Sequence, residues 1–328
     1  MTDSPYLGRL APSPTGALHL GNIRTFMITW LHCRVNRGQL AMRMEDLNIE
    51  RLKDGAIESI YEDLIWLGFD WDIGAGLHYL DSSKKEDETY IQSNSMELYH
   101  NTFMYLQKEK LIYPCSCTRK EIAQIQSAPH DNHEQHYKNT CRDRWNNETE
   151  ARAHKGHPIS WRFKINHQID SFNDGFYNHY AYPLDQWSGD FIIAQSSEKV
   201  AYQLAVVIDD ARHKVTQVIR ADDLLNSTLR QLTLYRELNY STPNFTHLPL
   251  MIGPDGIRLA KRHGDFKISS LRKKGVPAKR IIGYLAHTCG WTKSSKEISL
   301  NELLPLFDLS SIPRKEIVVD PNLEKLLY

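Results

Sequence analysis

The sequence predicts an α/β fold: a doubly wound parallel sheet, interrupted by an inserted module and followed by a short helical region. Three observations carry this. Short apolar runs alternate with amphipathic helical stretches at the start of the chain. The composition then shifts, from Tyr113 to about Phe191, to a segment rich in His, Asn and Gln. Strand and helix patterns return after it and give way to helices alone from Ser269 onward.

Residues 7–11 read as a short strand. A turn containing Pro12, Pro14, Gly16 and Gly21 follows, where the prolines fix φ and the glycines permit conformations that other residues resist. Asn22 is the expected cap of a helix from Ile23 through His32, which gives way at Asn36-Arg37-Gly38. Gln39 to Met44 is the next strand and ends in Glu45-Asp46. Gly55 to Leu67 places Ile57, Ile60, Leu64 and Leu67 near a helical period. Residues 94–111 form another helix, and the polar loop Ser127–Asn139 is expected to be mobile.

The apolar run Val200 to Ile208 reads as a mostly buried strand closed by Asp209-Asp210, and Val215 to Ile219 as a second short strand. A helix capped by Ser227 runs to Leu238, and Pro249 to Gly256 is a strand entering a turn. Helices Ala278–Cys289 and Leu300–Phe307 close the chain. The expected units are residues 1–112 and 196–265 as two halves of the sheet domain, 113–195 as the insertion, and 266–328 as the helical end.

The chain of 328 residues is long enough for two or three domains, with 41% apolar and 24% charged residues. Its 40 basic and 40 acidic residues cancel, so overall charge gives no case for nucleic-acid binding. An RNA surface must be local, and Arg258 to Arg280 offers nine basic residues against Asp265 alone. No apolar run approaches bilayer length, and the Met1-Thr-Asp start has no signal segment, so a cytoplasmic, membrane-free enzyme is expected. Nothing suggests more than a monomer.

Of five cysteines, Cys33 and Cys289 sit in apolar, helix-like contexts and read as buried thiols. Cys115, Cys117 and Cys141 cluster, which in a cytoplasmic chain points to a metal rather than a disulfide. Three thiolates can surround one tetrahedral zinc and leave one ligand to find, with His133 and His136 close by.

The segment Arg9-Leu-Ala-Pro-Ser-Pro-Thr-Gly-Ala-Leu-His19-Leu-Gly21-Asn22 resembles the nucleotide-binding signature of class I aminoacyl-tRNA synthetases in its glutamyl form. His19-Leu-Gly-Asn stands where that class carries its HIGH tetrapeptide. Arg258-Leu-Ala-Lys261-Arg262 resembles the KMSKS loop, with arginine for its first lysine and alanine for its serine. The resemblance implies a Rossmann-like catalytic domain. It assigns His19 and Lys261 to catalysis, and His19, Gly21, Asn22 and Lys261 to ATP with Mg2+. It assigns Arg9, Ala11, Ser13, Glu45, Tyr202 and Arg220 to L-glutamate. Arginine suits a substrate carboxylate and Glu45 a substrate ammonium.

Tyr137, four residues before Cys141, matches the Cys-x-Cys…Tyr…Cys pattern of the glutamyl-queuosine tRNA(Asp) synthetase family, in which tyrosine completes a structural Zn2+ site. Only 66 residues follow Arg262, which leaves room for a small helical region and not for an anticodon-binding domain. The resemblance therefore implies ATP-dependent activation of glutamate and its transfer to the queuosine base of tRNA(Asp). Two alternatives are a short glutamyl-tRNA synthetase charging a 3′ end, and a non-catalytic RNA-binding derivative.

Overall fold

The computed structural model describes residues 6–118, 121, 137–145, 147–155, 159–166, 169–181, 189–259 and 266–327. Strands β1 (Leu7–Leu10), β2 (Gln39–Met42) and β3 (Ile73–Gly74) form a parallel sheet in that order. Helix α1 (Leu20–Val35) connects β1 to β2, and helix α2 (Ala56–Trp66) lies between β2 and β3. The strand of one half reaches the other half through Leu7, whose N–H donates to Thr216 Oγ1 at 2.8 Å and whose carbonyl accepts from the Thr216 N–H at 3.0 Å. Helix α3 (Met96–Lys108) then leads into an antiparallel sheet of β4 (Ile112–Cys115), β5 (Ser160–Phe163), β8 (Phe191–Ser196) and β9 (Lys199–Val200).

The remaining sheet has the order β10 (Gln217–Ala221), β11 (Asn244–Leu248), β6 (Ser171–Asp174), β7 (Asn178–Ala181). Its β10–β11 pair is parallel, with Arg220 opposite His247. Helices α4 (Tyr202–Arg212) and α5 (Leu225–Glu237) flank β10 in the chain. A short pair, β12 (Met251–Ile252) with β13 (Ile317–Val318), ties the C-terminal segment to the region after β11. One large apolar core joins β1, β2 and α1 to α2 and the C-terminal helix α6 (Ala278–Thr288); a second joins α3, β5, β8, α4 and α5.

The two α/β halves thus place the carboxyl ends of β1, β2 and β10 together, where ligands gather in such sheets. Several element readings are corrected. The run 200–208 is not one strand: only Val200 belongs to a strand, β9, and Tyr202–Arg212 is a helix buried nearly all round, from Leu204 to Asp210. A buried helix and a buried strand have the same continuous apolar signature, so periodicity does not separate them. Asn22 does not cap α1; His19 does, and Asn22 is the third helical residue. Ser227 lies inside α5, buried, its hydroxyl accepting from Gln203 Nε2 at 3.0 Å. The expected helix 300–307 is one α turn, Leu300–Leu303, continued as a 3-10 turn over Leu304–Leu306.

Candidate active site

A cleft of about 290 Å3 opens at the shared strand ends, lined by Arg9, Glu45, Tyr202, Arg220, His19 and Asn22 among others. Ala11, Ser13 and Gly21 border it as well. All the residues predicted for glutamate therefore meet there. Lys261 lies outside the described residues, as do His130, His133 and His136 and most of the loop 127–139.

At one end of the cleft is the start of α1. The Asn22 N–H donates to His19 Nδ1 at 3.3 Å, and the His19 N–H donates to Asn22 Oδ1 at 3.1 Å. This reciprocal cap spends the two side chains on each other's backbone and fixes the imidazole. Because Nδ1 accepts, the ring proton of the neutral form sits on Nε2, which is then a donor. Gly21 serves by its size: a Cβ there would stand 3.2 Å from two His19 ring atoms. Its φ is not in the left-handed region, so space and not backbone freedom calls for glycine. Lys267, read only as part of a basic run, is also here. Its backbone pairs with His19, the Ile268 N–H donates to the Leu18 carbonyl at 2.9 Å, and Lys267 shares a small cavity with His19 and Asn22.

At the other end stand the arginines. Arg9 and Arg43 are both buried, and both face Asp210: Arg43 Nη1 at 2.5 Å and Arg9 Nε at 3.5 Å. Arg43 Nη2 also donates to Glu45 Oε1 at 3.0 Å. Burial pushes the Glu45 carboxyl above its usual range, with Arg43 and Arg9 acting against it. For Asp210 burial pushes the same way, and the charges of Arg43 and Arg9 outweigh it and hold the carboxyl below that range. Burial raises the Tyr202 hydroxyl.

Arg220 is 5% exposed and lies over the Phe245 ring at 5.1 Å. Its Nη2 donates to Thr228 Oγ1 and Gln231 Oε1, both at 2.7 Å, and its Nε donates to His247 Nε2 at 3.1 Å. Its Nη1 has no hydrogen-bond partner among the described residues. A buried guanidinium with one nitrogen unsatisfied on the wall of a cleft is a ready partner for an anion. His247 is bound in turn to Asp174, Nδ1 to Oδ2 at 2.7 Å.

Arg43, Asp210, Asp174 and His247 were not singled out by the sequence. Arg43 precedes Glu45 in the Arg-x-Glu-Asp step, and Asp209-Asp210 ends a run otherwise apolar; both were visible signals. The basic stretch after Arg258 is less free than its composition suggests. Arg258 pairs with Asp223 at 2.5 Å, and Arg272 reaches Glu62 at 3.0 Å and Asp63 at 3.5 Å.

The thiol cluster reaches a neighbouring cavity of about 580 Å3, which Cys117 lines together with Ser13, Glu45 and Tyr202. The Sγ atoms of Cys115, Cys117 and Cys141 lie within 4.8 Å of one another, and Cys117 to Cys141 is 3.5 Å with no disulfide. The Tyr137 hydroxyl is 3.3 Å from Cys115 Sγ and accepts from the Cys141 N–H at 2.9 Å. Arg162 donates from Nε to Cys115 Sγ at 3.3 Å and lies 3.5 Å above the Tyr137 ring. A tetrahedral zinc with bonds of about 2.3 Å spaces its sulfur ligands about 3.8 Å apart, so three thiols and one phenol gathered this closely fit such an ion. Hydrogen bonds from Cys115 and Cys117 hold the Cys141 thiol well below its ordinary value.

One cleft thus combines a carboxylate for a cation, a guanidinium for an anion, and a helix start with a fixed histidine of the kind that receives phosphate. The chain belongs to the class I tRNA synthetases: the family model for the catalytic domain of the E and Q enzymes matches residues 7–316. Within that family it is 40% identical to a glutamyl-Q tRNA(Asp) synthetase of Symbiobacterium thermophilum, over 94% of each chain. It is 38% identical to the enzyme of that name from Rhodopirellula baltica, over 95% of this chain and 96% of the other. Among solved structures, a glutamate-tRNA synthetase from Elizabethkingia anophelis superposes with a TM-score of 0.76 at 25% identity, over 97% of this chain and 69% of that one.

Proposed function

We propose that the protein activates L-glutamate with ATP and transfers the glutamyl group to the queuosine base of tRNA(Asp). The observation that carries this reading is the end-to-end likeness to glutamyl-Q tRNA(Asp) synthetases at 40% identity. The cleft supports it in detail. Glu45 takes the substrate ammonium, and the unpartnered Nη1 of Arg220 takes the side-chain carboxylate, with Arg9 beside it. Tyr202 closes the wall between them. Ala11, Ser13, Gly21 and Asn22 line the same cleft.

In the first step the α-carboxylate attacks the α-phosphorus of ATP, giving glutamyl-adenylate and pyrophosphate. His19 donates from Nε2 to the phosphate oxygens, the α1 N-terminus adds its dipole, and Lys261 neutralises the departing pyrophosphate. Mg2+ bound with ATP supplies further charge neutralisation. In the second step a queuosine hydroxyl attacks the activated carbonyl and AMP leaves. Cys115, Cys117, Cys141 and Tyr137 would hold a structural Zn2+ that ties β4 to the segment around Cys141. Residues 1–112 and 196–265 would act as the catalytic halves, and 113–195 as the acceptor-side insertion.

The test uses purified protein, ATP, labelled glutamate and tRNA(Asp) with and without queuosine. Base-linked label only in the queuosine-containing pool is the expected result. Label at the 3′ end of tRNA(Glu) instead would replace this reading with a short conventional synthetase.

A further inference from the structure

We propose that Asp174 and His247 are positioning residues for Arg220, fixing the plane of its guanidinium through a neutral imidazole protonated on Nδ1. The proposal rests on the reading of Arg220 as the anchor of the glutamate side chain.

The hydrogen bonds leave one arrangement. Arginine nitrogens donate and never accept. Arg220 Nε donates to His247 Nε2 at 3.1 Å, so Nε2 carries the lone pair and Nδ1 the proton, and the Thr228 hydroxyl, 2.9 Å from the same Nε2, can meet it only as a donor. Nδ1 faces Asp174 Oδ2 at 2.7 Å, where the proton has an anionic acceptor. Asp174 is itself immobilised: Oδ1 accepts from the backbone N–H groups of Phe176 and Tyr177 at 2.9 Å, and Oδ2 from that of His247 at 3.0 Å. The chain is tightly packed beside the pair, since a Cβ on Gly175 would stand 2.2 Å from Thr246 Oγ1. Asp174 comes from β6 and His247 from β11, which pair in parallel at Phe245.

The far side of the guanidinium is fixed as firmly. Thr228 and Gln231 take both protons of Nη2, and Gln231 Nε2 donates to Gln203 Oε1 at 2.8 Å. With Nε and Nη2 saturated, the planar fork cannot turn, and Nη1 alone remains for substrate. An imidazolium at position 247 would set a second cation against Arg220 and leave its Nε–H without an acceptor. Burial lowers the His247 pKa to about 4; Arg220 and Arg9 also lower it, and Asp174 opposes them. The ring is therefore neutral through the working range of an enzyme.

The test has two arms. In 15N-histidine-labelled protein, His247 is expected to show a protonated Nδ1 and a bare Nε2; the opposite tautomer would overturn the proposal whatever the substrate proves to be. In glutamate-dependent pyrophosphate exchange, Asp174→Asn is expected to raise the glutamate KM by roughly tenfold or more, with the ATP KM little changed. The asparagine amide faces Nδ1 with a donor, favours the Nε2–H tautomer, and so turns a donor toward Arg220. His247→Gln keeps an acceptor near the old Nε2 position and should raise the KM less than His247→Ala. Equal increases for ATP and glutamate, or no advantage of Gln over Ala, would mark the pair as merely structural. Failure of the wild type to exchange pyrophosphate with glutamate would instead refute the functional reading, and the tautomer would still decide the positioning claim.

Discussion

Arg43 and Asp210 form a buried ion pair, 167 residues apart in sequence and 2.5 Å apart in space. Arg43 follows β2 and Asp210 lies on α4, so the pair joins the two halves of the catalytic sheet. Each partner is desolvated, and neither charge has water to fall back on. Removing Asp210 takes away the carboxylate that Arg43 and Arg9 share and leaves Arg43 its pair with Glu45; breaking such a buried pair costs about 3–5 kcal/mol. Asp210→Ala is thus expected to lower the urea-derived unfolding free energy by an amount of that order. A loss below about 1 kcal/mol, as for an exposed pair, would disprove this role.

Arg220 tests the shape of the anion site apart from its charge. Lysine keeps the charge and loses the fork that engages His247, Thr228 and Gln231 at once. Arg220→Lys should raise the glutamate KM by roughly ten- to a hundredfold in pyrophosphate exchange. An unchanged glutamate KM would remove Arg220 from the substrate site.

Much of this site was legible in the sequence, and the gaps have physical causes. His19, Arg9, Glu45 and Arg220 sit in local motifs, at strand ends or helix starts, where a few neighbours identify the position. Asp174 and His247 have no such neighbours: each gains its role from a partner 73 residues away, across strands whose pairing no local pattern encodes. Tyr202 lines the cleft although its element is a helix and not the expected strand, because a helix buried on every side, from Leu204 to Asp210, shows the same apolar run as a central strand. Asn22 was placed at the right turn with the wrong task. Histidine is an uncommon cap, and its reciprocal bonds with Asn22 are a matter of geometry.

Asp63 gives a pH prediction. Its side chain is buried on α2 with Oδ1 lacking a hydrogen-bond partner among the described residues, and burial pushes its carboxyl up to about 6, with Arg272 at 3.5 Å acting against the shift. Between an ordinary carboxylate value near 4 and about 6 the folded form keeps a proton that the unfolded chain has lost. Stability from this group is therefore present at low pH and lost as pH rises through that window. Asp63→Asn should be more stable than wild type at pH 7, and the gain should vanish below about pH 4. A variant less stable at neutral pH would show that the Arg272 pair outweighs the burial.

The thiol cluster predicts a metal content. Purified protein should carry close to one zinc by elemental analysis, and Cys115→Ser or Cys141→Ser should lose most of it. Tyr137→Phe removes the phenol oxygen 3.3 Å from Cys115 Sγ and should weaken retention against a chelator. Full retention in that variant would pass the fourth position to another residue. Metal-free wild type would leave the cluster as three reduced thiols.

His19 separates catalysis from folding. Asparagine caps helices well, so His19→Asn can still accept at the start of α1 and should leave the melting temperature nearly unchanged. It cannot place a donor where Nε2 stands. If that donor meets charge that develops on phosphate only in the transition state, the rate of pyrophosphate exchange should fall by about a hundred- to a thousandfold. The KM values for glutamate and ATP should move little, because the lost interaction is made after binding. A large rise in the ATP KM with kcat preserved would mean that His19 holds the nucleotide in the ground state. Asn22→Ala supplies the control: it removes the acceptor of the His19 backbone N–H, keeps the ring and its bond from the residue 22 N–H, and should cost kcat less than His19→Asn does.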